Sequence, residues 1–393
     1  MSQPAATAQQ SALLNLLALG NFVVGMGAFV VIGIVTPIAD GLAVSKSSAG
    51  TVLTAYAIAY ALLSPLGAAI TGTWPRRDVL TAALALFCIG SILSALSSSL
   101  TMLAASRIIV AFGAALYTPL SAGVAVAIAG AENRGRALAK VFGGITMAQV
   151  VGVPAGAWLA YRFGWPSTFW TVSVLSAAAA AIIYRMVPRA IPFQATGITA
   201  VVTALKDVPV MFATAFTAVI IAAIYMVFTY FGPLIEASVG SNPETRTLFL
   251  VLYGVGAVAG NYAGGFLTDR IGPNRTLYIV CTAQAVVMPL FSVVPWSPVM
   301  FAILVGIWSS FGWSFMAPQQ SRLVAIAPKA QPLVLALNAA MIYVGIAVGS
   351  ALSALVLDWR GIAGLGVAGG GLALAAALYL WLSGRIAERP ANH

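Results

Sequence analysis

The chain has 393 residues, of which 61% are hydrophobic and only 7% are Asp, Glu, Lys or Arg. A soluble globular domain carries about 25% charged residues, so a water-soluble fold is excluded. A single His, at His393, and two Cys, Cys88 and Cys281, in separate apolar runs leave no cluster for zinc or haem.

Apolar runs of about 20 residues, each long enough to cross a ~30 Å hydrocarbon core as a helix, recur along the chain. They fall at roughly 13–37, 48–72, 79–98, 100–129, 137–160, 166–187, 208–235, 247–268, 276–294, 299–326, 332–357 and 362–383. In lipid the backbone must satisfy its own hydrogen bonds, and these runs are too long and too uniformly apolar for barrel strands. The expectation is an all-α polytopic membrane protein with twelve transmembrane helices. Starting from a cytoplasmic N-terminus, fourteen Lys and Arg fall inside, four (Lys46, Arg162, Arg246, Arg360) fall outside, and Arg107 lies within a span. That bias follows the positive-inside rule and puts both termini in the cytoplasm. The formal charge of +10 therefore serves topology, and nucleic acid is not an expected partner. "MSQPAATAQQS" has no basic n-region and no clear cleavage site, so the first span is expected to be retained. No G-x-x-x-x-G-K-[ST] occurs, so no nucleotide site or other cofactor is called for and work must come from gradients.

In chain order, span one reads "GMGAFVVIGIVTP", with Ala28 before Phe29. The loop after span two ends in "PRR", carrying Arg76 and Arg77. Span four holds "RIIVAFGAA", where Arg107 is the one ionisable side chain clearly inside a span. An intramembrane Arg costs roughly 2.5–3.5 kcal/mol on insertion scales, which marks it for function, with snorkelling to the interface as the alternative. Span five carries Gly152, Pro154 and Gly156 in "GVPAG", small residues for close packing with a proline kink. Residues 188–207 form the long connection, broken by Pro188, Pro192 and Gly197, with "ITAVVTALK" as a short surface helix. After span eight comes "GGFLTDRIGPNR", which crowds Asp269, Arg270 and Arg275 together in a chain so short of charge.

The halves match each other. "GFLTDRIGPNR" lies over "GAAITGTWPRR" at an offset of 198, and "FGWSFMAPQQ" over "FGAALYTPLS" at 199. Two matches at nearly one offset indicate a duplicated six-span unit, with halves at 1–187 and 208–393 joined by the cytoplasmic linker 188–207. Parallel six-span halves are a main transporter plan, with substrate near the midplane where the halves meet.

These residues resemble the major facilitator superfamily. Gly265, Asp269, Arg270, Gly272 and Arg275 keep its G-x-x-x-D-[RK]-x-G-[RK]-[RK] pattern, while the first copy has Thr71, Gly72 and Trp74 where the acid, the first base and the second Gly would stand. The resemblance implies two pseudo-symmetric six-helix halves, alternating access, and an inner-gate role for Asp269, Arg270 and Arg275. Arg76 and Arg77 either share that role or enforce topology alone. "RIIVAFGAA" is similar to the family's R-x-x-x-G-x-G-x-A, with Ala111 for the first Gly, and the span-five Gly/Pro pattern is similar to that of antiporters. Over nearly the full length the chain resembles the twelve-span drug:proton antiporter branch, near bacterial nucleoside, sugar and drug efflux permeases. That implies a monomeric multidrug-type exporter in the bacterial inner membrane, with a small-molecule substrate, protons and the lipid bilayer as partners.

By that resemblance, relatives in the branch commonly carry a Glu where Ala28 stands, and none of the nine acidic residues lies at mid-span. A proton carrier is normally an intramembrane acid or His. Three routes stay open: Asp40 or Glu236 titrating at the outer mouth, an anionic substrate drawn by Arg107 and driven by potential, or an uncoupled facilitator. For substrate contacts the candidate amides are Asn21, Gln149 and Asn338, with Asn261 and Gln319 beside them; each either bridges helices or faces substrate. The candidate aromatics are Tyr56, Tyr225, Tyr343, Trp308 and Trp313, with Tyr60, Tyr117, Tyr230 and Tyr253 in the same spans. Rings plus a few amides suit a planar or amphipathic small molecule. A membrane enzyme would need paired Asp motifs or clustered His, and the sequence has neither.

Overall fold

In the computed structural model the described residues are 3–71, 74–130, 133–189, 191, 207–240, 242–293 and 295–387, and all their regular structure is helical. The surface helix expected at 198–206 lies outside the described residues, as does Gly72. The first half comprises α1 (Gln3–Phe29), α2 (Val31–Leu42), α3 (Lys46–Ile70), α4 (Arg76–Ala95), α5 (Leu100–Ala129), α6 (Arg134–Met147), α7 (Val153–Phe163) and α8 (Pro166–Met186). The second comprises α9 (Val208–Phe228), α10 (Phe231–Val239), α11 (Pro243–Ile271), α12 (Pro273–Val287), α13 (Pro298–Trp313), α14 (Met316–Ile326), α15 (Gln331–Arg360) and α16 (Ile362–Ala387). Among the described residues, twelve helical stretches are long and apolar enough to cross a membrane, as the apolar runs require.

Among the described residues the twelve spans comprise sixteen helices because spans one, five, seven and ten are interrupted, and in spans five, seven and ten prolines explain where. Proline has no N–H to give the carbonyl four residues back, and its ring crowds that carbonyl. Pro233 and Pro318 stand four residues after Thr229 and Ser314, where α9 gives way to α10 and α13 to α14. Hydroxyls at these breaks bond other carbonyls nearby: Thr229 Oγ1 donates to Tyr225 O at 2.6 Å, and Ser314 Oγ lies 2.7 Å from Ser310 O and 2.8 Å from Gly260 O. Pro154 follows a π turn, Ala148–Gly152, that absorbs the misfit by widening the helix. In α2, Pro37 comes three residues after Ile34, whose φ of −122° and ψ of 16° leave the helical region.

Contacts group the chain into two compact units, Met1–Val44 with Ile58–Ala195, and Ser45–Ala57 with Thr196–His393. Within the first unit α1 packs on α6 and α5, and α4 packs on α5 and α8. Leu80, Leu84 and Phe87 of α4 are wholly buried in that packing. Within the second, α9 packs on α15 and α16, α11 on α13, and α12 on α16 and α13. Span one against five recurs as seven against eleven, and three against six recurs as nine against twelve.

The seam between α1 and span five shows why small residues are needed. Gly144, Ala148, Gly152 and Gly156 recur every fourth residue and so share a face. A Cβ on Gly144 would overlap the carbonyl oxygen of Ala18, and one on Gly156 would meet Val30. Without a hydrophobic drive between helices in lipid, such backbone approach supplies the dispersion contacts that hold the seam.

Candidate functional site

In the first unit, Arg107 of α5 is wholly buried, and its Nη2 donates to Gly27 O at 2.7 Å and Ala28 O at 3.4 Å. Those carbonyls belong to the last turn of α1, where the helix ladder stops and the dipole is negative. The guanidinium also lies 5.6 Å from the centre of the Phe169 ring. This is the geometry of a brace on the α1 terminus. Gln149 is half-buried on the π turn, and Gly152 lies against Met26. Asp40 is exposed near the end of α2.

Asn21 of α1 is wholly buried, and its Nδ2 donates to Ser121 Oγ at 2.9 Å and to Val141 O at 3.3 Å, joining spans one, four and five. The second unit repeats this junction. Thr217 Oγ1 lies 2.5 Å from Asn338 Oδ1, and Gln319 Nε2 donates to Thr217 Oγ1 at 3.1 Å and Ala213 O at 2.8 Å, joining spans seven, ten and eleven. Thr217 stands 196 positions after Asn21, Gln319 198 after Ser121, and Asn338 197 after Val141. Asn21, Asn338 and Gln319 thus bridge helices inside their own units. Asn261 is exposed.

The aromatic candidates of the second unit converge. Tyr253 stacks on Phe228 with ring centres 4.1 Å apart, and Trp308 lies 5.0 Å from Tyr253. Tyr225 meets Phe228 edge-on at 5.4 Å. Trp313, half-buried, donates from Nε1 to the Tyr253 hydroxyl at 3.0 Å. Gln284 Nε2 donates to Trp308 O at 2.9 Å. Phe228, Phe231, Phe291 and Gln284 were absent from the sequence candidates. The first two flank the break that Pro233 imposes on span seven, which is the signal that could have found them. Tyr56 and Tyr343 face each other with ring centres at 6.4 Å.

The charged candidates are less uniform than their motifs. Asp269, Arg270 and Arg275 are all exposed, and Arg270 lies over Phe266 of its own helix at 4.2 Å. Arg76 is buried and donates from Nη1 to Thr71 O at 3.2 Å. Arg77 pairs with Asp78 at 3.2 Å and covers the Tyr184 ring at 4.7 Å, while Asp78 also pairs with Arg189 at 3.2 Å. Glu236 of α10 pairs with Arg246 at 2.7 Å and Lys46 at 2.8 Å.

Burial of cations extends beyond Arg107, the one ionisable side chain that the sequence places clearly inside a span: Arg76 in α4, Arg246 in α11 and Arg322 in α14 are also buried. Each sits near a helix end, where hydropathy windows tolerate charge, yet tertiary packing covers it. Arg322 Nη2 donates to Ser383 Oγ at 2.6 Å.

Comparisons with known proteins converge. The profile described as Major Facilitator Superfamily matches residues 17–325. The chloramphenicol resistance protein of Streptomyces lividans is 30% identical over 348 residues, 88% of this chain and 88% of that protein. The inner membrane transport protein YdhP of Escherichia coli is 29% identical over 350 residues, 89% of each. The MFS-type transporter YbcL of Bacillus subtilis is 28% identical over 343 residues, 87% of this chain and 88% of that one. Among solved structures, a bacterial homolog of the human lysosomal transporter Spinster has a TM-score of 0.79 at 18% identity and 98% coverage of both chains. The xylose transporter XylE of Escherichia coli has a TM-score of 0.73 at 16% identity, covering 95% of this chain and 98% of that one. At such identities the structural likeness establishes the fold alone.

Proposed function

This chain belongs to the Major Facilitator Superfamily, and from that premise we propose that it exports small, planar or amphipathic organic molecules across the bacterial inner membrane by alternating access. The observation that carries the reading is the aromatic cluster of Tyr225, Phe228, Tyr253 and Trp308, edged by the half-buried Trp313. The rings pack on one another at 4–6 Å and form a rigid aromatic wall; the half-buried Trp313 at its edge offers a ring for an aryl group to stack on, while the Tyr253 hydroxyl and nearby amides offer hydrogen bonds. The similarity to a chloramphenicol resistance protein supports an aryl substrate of that kind. On the charge bias, both termini lie in the cytoplasm.

Proton exchange is the proposed coupling, with Asp40 and Glu236 as the acids to be tested. Asn21, Gln149, Asn338, Tyr56 and Tyr343 are proposed contributors to the transport path, the two Asn through the helix junctions they hold. Asp269, Arg270, Arg275, Arg76 and Arg77 are proposed gate residues, and the Gly152–Pro154–Gly156 stretch a packing hinge. Potential-driven export of an anion through Arg107 is the second reading, favoured by the burial of that guanidinium.

The test is flux of labelled chloramphenicol in proteoliposomes, with internal pH followed under an imposed potential. Flux with a matching pH change supports exchange. Flux without it removes proton coupling, and no flux of any aryl probe removes the substrate class.

A further inference from the structure

We propose that the inner end of the second unit binds the phosphate of an anionic phospholipid, at a surplus of hydrogen-bond donors around the buried guanidinium of Arg322. The inference rests on the chain spanning a membrane and on no particular substrate, direction or coupling.

Among the described residues four arginines are buried: Arg76, Arg107, Arg246 and Arg322. The first three each reach an oxygen that suits a cation. Arg76 and Arg107 donate to backbone carbonyls, and Arg246 donates to the carboxylate of Glu236. Arg322 donates instead to a hydroxyl, Ser383 Oγ at 2.6 Å, and its Nη1 is buried without a partner. The helices α12, α14 and α16 contain no Asp or Glu. Among the described residues no carboxylate pairs with Arg322, and Asp269 of the neighbouring α11 is exposed. A charge buried without a counter-charge is costly, so the site asks for an anion.

Its surroundings offer spare donors. Ser383 accepts from Arg322, and among the described residues no acceptor takes its own proton. Ser350 and Ser353, by contrast, give theirs to the carbonyls three residues back. Tyr278 of α12 and Tyr379 of α16 stand within electrostatic reach of the guanidinium, and neither gives its proton to a described residue. Nη1, the serine hydroxyl and the two phenols thus surround one positive charge with four unused donors. A phosphodiester, negative and rich in acceptor oxygens, is the complement.

Depth selects a lipid as the source. Arg322 stands four residues before the end of α14, Ser383 two before the apolar stretch ends at Arg385, and Tyr278 five after the start of α12. At 1.5 Å per residue all three lie about 3–8 Å from helix ends that the charge bias places in the cytoplasm. Arg385 lies over the Trp381 ring at 3.8 Å, and both are exposed, an interfacial aromatic beside a second cation. Tyr278 is exposed too, so the rim is open to the leaflet while Arg322, at 4% exposure, acts from just beneath it. A headgroup laid on this rim neutralises a charge that water and salt screen little.

The test titrates the full chain in detergent with dioleoyl-phosphatidylglycerol or dioleoyl-phosphatidylcholine and counts bound lipid by native mass spectrometry. The parent is expected to take its first phosphatidylglycerol more tightly than phosphatidylcholine. Arg322→Met is expected to weaken that first phosphatidylglycerol about fivefold, as one basic residue near a headgroup predicts. Arg136→Met, which removes an exposed cation on the same side of the first unit, keeps the parent affinity. Unchanged affinity in Arg322→Met overturns the proposal, and so does an equal loss in Arg136→Met, which would make net charge the cause. No preference for phosphatidylglycerol in the parent overturns it as well. Displacement by excess inorganic phosphate makes this a site for free anions and overturns the lipid source. Should Arg322→Met fail to fold, Ser383→Ala decides: about threefold weaker phosphatidylglycerol is expected for one lost hydrogen bond, and unchanged affinity overturns the site.

Discussion

Replacing Arg107 by Met and by Ala separates the two things that side chain does. The guanidinium makes a charge-assisted bond to Gly27 O at 2.7 Å, a kind of bond worth about 1.5–3 kcal/mol. Keeping its charge inside a span costs roughly 2.5–3.5 kcal/mol on insertion scales. Met removes both terms and preserves most of the side-chain volume, so the two nearly cancel and a net change within about 1 kcal/mol is expected. Ala removes both and also empties a wholly buried site against Phe169, adding about 2–4 kcal/mol for the cavity. At about 2 °C per kcal/mol for a large domain, Arg107→Ala should melt about 4–8 °C below the parent and Arg107→Met within about 2 °C. Thermal unfolding in detergent, followed by intrinsic Trp fluorescence, reads this directly. Equal losses in the two variants would refute the reasoning, because the guanidinium bonds rather than packing would then hold α1. With Arg107→Met stable, loss of chloramphenicol flux in that variant assigns the guanidinium to transport.

Three further outcomes are expected. Gly144→Val drives a side chain into the Ala18 carbonyl, so membrane yield and melting temperature should both fall, by about 2–3 kcal/mol in stability terms; an unchanged melting curve would show that the α1 seam yields. Pro233→Ala returns an N–H to Thr229 O, so hydrogen exchange around residues 229–233 should slow and flux should drop, and faster exchange would remove Pro233 as the cause of the break. Asp269→Asn, at an exposed site, should leave stability within about 0.5 kcal/mol; on the gate reading it raises the thiol reactivity of a Cys at Gly265, and unchanged reactivity would remove Asp269 from the gate.

Much of the architecture is legible in the chain itself. The number of spans follows from hydropathy, because lipid acts on each segment separately and asks only for length and apolar surface. The broken spans are legible too, since Pro154, Pro233 and Pro318 each dictate a loss of hydrogen bonding four residues back. Tyr225 and Trp308 are visible as mid-span rings and Tyr253 as a further ring in span eight, but their convergence with Phe228, and with Phe291 at 5.1 Å from Trp308, is not, because a ring buried in a cluster and one anchored at an interface look alike in a sequence window.

What only the tertiary structure decided is the choice of polar partners. Lys46 meets Glu236 from 190 positions away, and Asn21 meets Ser121 from 100. Arg246 and Arg322 lie near helix ends by sequence and are buried by packing. That Arg107 reaches Gly27 O, 80 positions back along the chain, is likewise a product of packing. Hydrophobic transfer is additive along the chain, so the sequence by itself settles which segments enter the membrane. A buried polar atom has a short reach and demands a specific neighbour, and that neighbour exists only once the helices have packed.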